Sequence, residues 1–461
     1  MLKDPITVRW KSSCPLPGCN FLLSFLLPYY IVNAKKYTVL LFALVAGCLP
    51  AQIRVLTVEE ACRLAEQNSI SLQKQAVDLE IDRIRAKSLW AQVFPSINAR
   101  GEVNYTFKDN NTTYGTNPLH TTNLSATVRL GLSAGLPLTM ANISLAYKNS
   151  LLNYEQARRI LINETSKTFY SLLSRKNNLL VLEGAMRLAG EQVERDRIAR
   201  RSGYIGELDF LSAQVSSERA KLAYNRALAD YQNTLGKFCT ALGLDQKEPP
   251  VLEGNPEIIK LSLDAEALIN ERLARRPDMI AQRNEIQRLK NGRTETFLSS
   301  KGPSVDLSAT WRATVDNGLS DGLSAGVSVS IPIDSWIPRT KPDQTVKRSN
   351  AEYQKAQLEL RNMENNARQE IRSFTDSINI TWTELEIARF QSDFAQRAYE
   401  LAERAYRSGT MNFLNFETVR NRLTDARQQL LQCELNYKIL VLDLASSLNM
   451  EERELRNYST N

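Results

Sequence analysis

The sequence predicts a mixed α/β membrane protein in which a β-barrel segment is carried on a helical tube, the whole built from two copies of one unit. Three observations predict it. Four short segments alternate apolar and polar residues without a break, and proline-free stretches too long for ordinary globular helices flank them. The second half of the chain also repeats the order of the first.

Length alone would allow 461 residues to fill two or three ordinary domains, but the duplication overrides that prior. Formal charge is +7, of which Lys3, Arg9, Lys11, Lys35 and Lys36 against Asp4 supply +4 in the first fifty residues, leaving about +3 for the rest. So small an excess excludes a nucleic-acid footprint. Mean hydropathy is −0.33, and after residue 50 no run approaches 18 apolar residues. Strands, not helices, must therefore do any spanning.

Residues 1–34, with Cys14, Cys19 and an apolar patch from Phe21 to Leu27, fit nothing downstream and read as a non-native extension, with translation starting near Lys35. Residues 35–51 read as an export signal: Lys35 and Lys36, an apolar run, then small residues up to Ala51. Val45-Ala46-Gly47-Cys48 also fits a lipobox, which would make Cys48 an acylated first residue. Reach favours cleavage after Ala51. A helix over about residues 70–93 covers roughly 36 Å, while the roughly nine residues that follow Cys48 reach about 30 Å at full extension. Cys62, Cys239 and Cys433 are far apart and fit no motif, and read as small buried hydrophobes.

The first repeat, residues 52–250, opens with the capping box Thr57-Val58-Glu59-Glu60. Its strands are expected at about 96–107 and 122–138. In the first, Ile97, Ala99, Val103, Tyr105 and Phe107 oppose Asn98, Arg100, Glu102 and Asn104; in the second, Leu124, Ala126, Val128, Leu130 and Leu132 oppose Ser125, Thr127 and Arg129. A helix of roughly 90 Å follows, from near Asn142 to Arg201. Phe169, Leu172, Leu173, Lys176, Leu180, Met186, Ala189 and Val193 mark its packing seam. Gly236 to Leu263, with Pro249, Pro250, Gly254 and Pro256, reads as the crossing between repeats, with 251–262 as the linker proper.

The second repeat, residues 263–450, has strands expected at about 304–315 and 322–333, where Val305, Leu307, Ala309 and Trp311, then Leu323, Ala325, Val327 and Val329, take the apolar face. Its long helix carries a near-heptad seam of Ile371, Phe374, Ile378, Leu385, Ala388, Ala395 and Ala402. Such narrow, often small seams suit a wall of helices around a wet centre. Residues 451–461 read as a tail. Strand segments of about 9 to 11 tilted residues suffice to cross a hydrocarbon core.

Catalytic chemistry is missing. The one histidine, His120, lies between the first two strands, and no P-loop, dinucleotide fingerprint or nucleophile elbow occurs. Carboxylates such as Glu191, Glu194 and Asp196 stand beside arginines and read as a solvated helix face. No enzyme activity, cofactor or metal is expected.

Several paired motifs now carry a resemblance. Phe94-Pro95-Ser96-Ile97 matches Gly302-Pro303-Ser304-Val305, Arg276-Pro277-Asp278 opens the second repeat, and Arg201-Ser202-Gly203 through Leu208, Asp209 and Phe210 matches Arg407-Ser408-Gly409 through Leu414 and Phe416. In this order, and twice, they resemble the TolC-like outer-membrane efflux and secretion family from about Leu56 to Met450. The resemblance implies a homotrimer whose protomers each give four strands to one barrel and a share of a periplasmic helical tunnel. It also implies a passive duct, served by a periplasmic adaptor (a membrane fusion protein) and an inner-membrane transporter of RND or ABC type. The helix turns would be periplasmic tips, with Gly203 and Gly409 in the turns and Leu208 and Leu414 among the adaptor contacts. By the same resemblance Tyr406, Glu417, Arg420 and Asp209 would form the gate. From Gly409 to Glu417 the spacing is one residue shorter than usual in the family, and Met411 to Phe413 replace residues that are often charged. A type I protein-secretion duct is the alternative within the family; a periplasmic coiled-coil scaffold without a pore, from another class, would have no use for the four strands.

Overall fold

The computed structural model describes residues 55–105, 120–247, 249–254, 257–315 and 319–458; the extension, the export signal, Cys48 and the strand connections 106–119 and 316–318 lie outside them. Leu56–Asn461 forms one unit. Thr57 Oγ1 accepts the Glu60 amide at 3.4 Å, so the predicted cap opens α1 (Val58–Asn68). Ser69 caps α2 (Ile70–Lys87) in the same way, and a short 3₁₀ turn leads into β1 (Ser96–Tyr105) and β2 (His120–Ser133).

The next helix, α3, runs for 66 residues from Leu136 to Arg201, about 100 Å. It returns as α4 (Glu207–Leu242), and the second repeat follows with α5 (Ala265–Arg272) and α6 (Pro277–Lys301). Strands β3 (Ser304–Val315) and β4 (Leu319–Ser330), helices α7 (Lys341–Arg407) and α8 (Phe413–Ser447), and a short α9 (Glu452–Leu455) complete it. Among the described residues no helix is long and apolar enough to cross a membrane.

The four long strands form one antiparallel sheet in the order β1-β2-β3-β4. Its register aligns the alternation across all four strands. Ile97, Val128, Ala309 and Ala325 share one row, and Leu130, Leu307 and Val327 another, so one face is a continuous apolar band. Rows on the opposite face read Arg100, Ser125, Arg312, Gly322 and Asn98, Thr127, Thr310, Ser324. Among the described residues, one edge of β1 and one edge of β4 have no strand partner.

Several expected boundaries are corrected. The second strand ends at Ser133, not 138, because Leu136-Pro137-Leu138 already lies in α3; proline costs little in a first helical turn, where its missing amide would have had no partner. The fourth strand starts at Leu319 and ends at Ser330, and Ile333 belongs to a 3₁₀ turn. Residues 106 and 107, where the first strand was expected to end, lie outside the described residues. Gly236 is inside α4, because Leu235, Phe238, Cys239 and Leu242 keep that helix buried past it. Among the described residues of the linker and tail, Leu252, Leu261 and Leu455 are buried.

On α7, Ile371, Ile378, Leu385, Ala388, Ala395 and Ala402 are buried, a clean heptad seam, with Phe374 packed at its margin. The α3 seam is less regular. Phe169, Leu172, Leu173 and Ala189 are buried, but Leu180 is 62% exposed and Leu182 is buried in its place. A straight helix drifts about 20° per heptad, so the buried stripe has moved round the helix by this turn. Cys239 and Cys433 are buried as expected, while Cys62 is half-buried with Sγ 3.3 Å from Ser166 Oγ.

Candidate functional site at the helix turns

Both long helices end in the same cap. Gly203 and Gly409 sit at φ +76° and +75°. Each donates its amide to the carbonyl three residues back (Arg200 and Tyr406, both 3.0 Å), and the next residue donates to the carbonyl five back (Tyr204 to Ala199 at 2.9 Å, Thr410 to Ala405 at 3.0 Å). This double closure needs a left-handed residue, which glycine adopts cheaply. A Cβ at Gly409 would meet nothing within 4 Å, so only backbone strain opposes substitution. Gly409→Val should therefore cost about 1–2 kcal/mol and lower the unfolding temperature modestly. It should also impair export; an export-competent Gly409→Val protein at wild-type level would argue against a working role for this turn.

The two turns are built differently. In the first, Arg200 Nη1 reaches both carboxylate oxygens of Glu207 at 2.8 Å while its guanidinium lies 4.4 Å from the Phe210 ring centroid. Asp209 is half-buried beside it, and Leu208 and Leu414 stand exposed at 77% and 68%. The second turn has an apolar heart. Phe413 and Phe416 are buried, Tyr406 stacks on Phe416 with centroids 4.9 Å apart, and Met411 packs against the same cluster. The uncharged Met411-Asn412-Phe413 segment thus serves an aromatic plug.

A polar network joins this plug to the first repeat. The Tyr406 hydroxyl donates to Asp196 Oδ1 at 3.0 Å, and Gln192 Nε2 donates to the same oxygen at 2.6 Å. Arg195 in turn donates to Gln192 Oε1 at 2.8 Å. Arg420 Nη2 donates to Ser216 Oγ at 2.6 Å and lies 3.7 Å from Glu417. The α7 end is thereby tied to α3, and α8 to α4. Arg420 is buried and ties helices of its own chain.

Asp196 corrects the sequence reading. Read as part of a solvated acidic face with Glu191 and Glu194, it is 2% exposed, and among the described residues its Oδ2 has no hydrogen-bond partner. Gln192 and Ser216 were likewise not singled out. Burial raises the Asp196 carboxyl above its ordinary value of 3.8 against the opposing hydrogen bonds from Tyr406 and Gln192; it also raises the Tyr406 hydroxyl and holds the Arg420 guanidinium low. A carboxyl with a raised folded-state value adds stability that is complete below 3.8 and is lost as pH rises through the raised value. Asp196→Asn should flatten this acid-side dependence of thermal unfolding, and an unchanged pH profile would show that Asp196 does not titrate in its buried form.

Residues 61–244 and 268–450 match the sequence pattern of the outer membrane efflux protein family, covering both repeats. The chain belongs to that family. Its fold is similar to a membrane protein from Pseudomonas aeruginosa (18% identity, TM-score 0.73, covering 85% of this chain and 90% of that one). It is also similar to the Campylobacter jejuni CmeC outer membrane channel (16% identity, TM-score 0.74, 87% and 90% covered) and to the Neisseria gonorrhoeae MtrE outer membrane channel in its open state (16%, 0.68, 85% and 89%). No curated protein matches the sequence. As an outer membrane efflux family protein of TolC-like type, the chain is a channel-family protein and not an enzyme, located in the outer membrane with a long periplasmic helical portion.

Proposed function

We propose that three copies of this chain close a twelve-stranded barrel and continue it as a periplasmic helical tunnel, the exit duct of a tripartite efflux pump. The observation that carries this reading is the four-stranded sheet, with one continuous apolar face and two edges without a strand partner. In lipid an unpaired edge amide or carbonyl costs several kcal/mol, so β1 of one copy must pair with β4 of the next until the ring closes. The apolar face then meets lipid, and the Arg100 and Arg312 face lines water. The duct itself is passive. A periplasmic adaptor would dock at the tips, where Leu208 and Leu414 are exposed, and an inner-membrane transporter of RND or ABC type would supply the energy.

Tyr406, Arg420, Glu417 and Asp209 are proposed as the gate, with Asp196 and Ser216 as the groups that Tyr406 and Arg420 grip. Rings of Glu417 around a threefold axis would repel, so opening is opposed only while the ties hold. An efflux role is preferred over a type I secretion duct because the matched family is one of efflux proteins. Cysteines at Asn98 in β1 and Ser328 in β4, joined by a flexible bismaleimide in outer-membrane vesicles, should give a covalent trimer. A product no larger than a monomer would overturn the closed ring.

A further inference from the structure

We infer that the junction between strands and helices is a binding collar for anionic phospholipid headgroups in the periplasm-facing leaflet. This rests on the membrane-spanning reading above. Beyond residue 50 the chain carries only about +3, yet cations gather where strands meet helices. Lys87 ends α2, Arg293 lies two turns before the end of α6, and Arg339 and Lys341 flank the start of α7; all four are exposed, and none takes part in an ion pair among the described residues. Asp343 is occupied by Lys347 and Lys301 and Glu295 accepts from the Thr139 hydroxyl, while Asp334, Asp306 and Glu295 take part in no ion pair among the described residues.

Aromatic side chains occupy the same level. Trp90 follows Lys87 and is 61% exposed, in an edge contact with Phe94. Trp336 precedes Arg339, is 59% exposed, and has Lys301 Nζ 5.3 Å from its ring centroid. Amphipathic rings with cations beside them are the chemistry of a headgroup layer, the ring at the apolar boundary and the charge among phosphates. The backbone adds an independent sign. Arg339 holds φ +68°, a conformation costly for an arginine, pinned by Asp343 accepting its amide at 3.1 Å and by Gln344 donating to its carbonyl at 3.2 Å. That pin fixes the backbone of an exposed arginine outside any ion pair a few residues past the end of β4, after the exposed Ile331 and Ile333.

The test is quenching of tryptophan by brominated lipid in the reconstituted full chain. Trp336 is kept as the sole tryptophan in one variant and Trp311, in β3, in another. Brominated phosphatidylglycerol should quench Trp336 at least about twofold more than the same mole fraction of brominated phosphatidylcholine, since each basic residue enriches an anionic surface several-fold. Lys87→Ser with Arg339→Ser and Lys341→Ser should abolish that excess, and inorganic phosphate should not. Equal quenching of Trp336 by both lipids, or loss of the excess in phosphate, overturns the collar while Trp311 quenching by either lipid leaves the membrane reading standing. If Trp311 is quenched by neither lipid, the membrane reading itself fails. As a second measurement on the parent sequence, added phosphatidylglycerol should raise the unfolding temperature in detergent, and the triple variant should lose that rise.

Discussion

Arginine placed on the apolar face of the sheet should be among the most damaging single changes in this protein. Val128 lies in the middle of β2, in a row with Ile97, Ala309 and Ala325, and Val327 shares a row with Leu307 and Leu130. Nothing polar stands beside either. Val128→Arg or Val327→Arg should cost about 2–4 kcal/mol near the bilayer midplane, falling toward the interfaces. The other face carries arginines of its own. Ser125 lies between Arg100 and Arg312, and Ser308 beside Arg129, so a new arginine at either would add like-charge repulsion to whatever the lumen imposes. Ser324, paired with Thr310, is the cleaner control, and Ser324→Arg should leave assembly nearly intact. Assembled, heat-resistant trimer should fall sharply for Val128→Arg and Val327→Arg only; equal losses on both faces would sink the barrel.

The contrast between those faces was legible because a period of two writes itself directly into the chain, and one residue of slip would have reversed it. Strand ends were less so. Leu136-Pro137-Leu138 continues the alternation although it is already helical, and nothing in a period of two marks where a proline stops being an interruption and becomes a first turn. The heptad of α7 was readable for the same reason as the strands, whereas α3 packs against several neighbours and its stripe wanders.

The tips divide in the same way. Gly203 and Gly409 were visible because the left-handed cap has a strong residue preference. Asp196 was not, because exposed and buried carboxylates look alike along a helix and its partner Tyr406 is 210 residues distant in sequence. The buried tie between repeats is a tertiary fact. Spacing alone could place Arg420 three residues from Glu417 and still not reveal that its guanidinium turns inward to Ser216.

Those two ties set the last expectation, an increase in conductance when both are cut. Tyr406→Phe removes the hydroxyl that reaches Asp196, and Arg420→Ser removes the guanidinium that reaches Ser216 and Glu417. Phenylalanine keeps the stack on Phe416, so the first change isolates the hydrogen bond from the packing. Hydrogen bonds to charged groups contribute about 1.5–3 kcal/mol each, and reversing a closed-to-open ratio of 99:1 takes about 5.5 kcal/mol. One cut should therefore shift the population only in part, and the pair should bring it near or past balance. Three copies of Glu417 around the axis, freed from Arg420, would add their repulsion in the same direction. In planar bilayers the double variant should conduct more than either single variant, and each single variant more than the parent. Conductance equal to the parent, in trimers shown to be assembled, would remove the constriction from this turn and leave the first-repeat tip around Asp209 as the place where the tube closes.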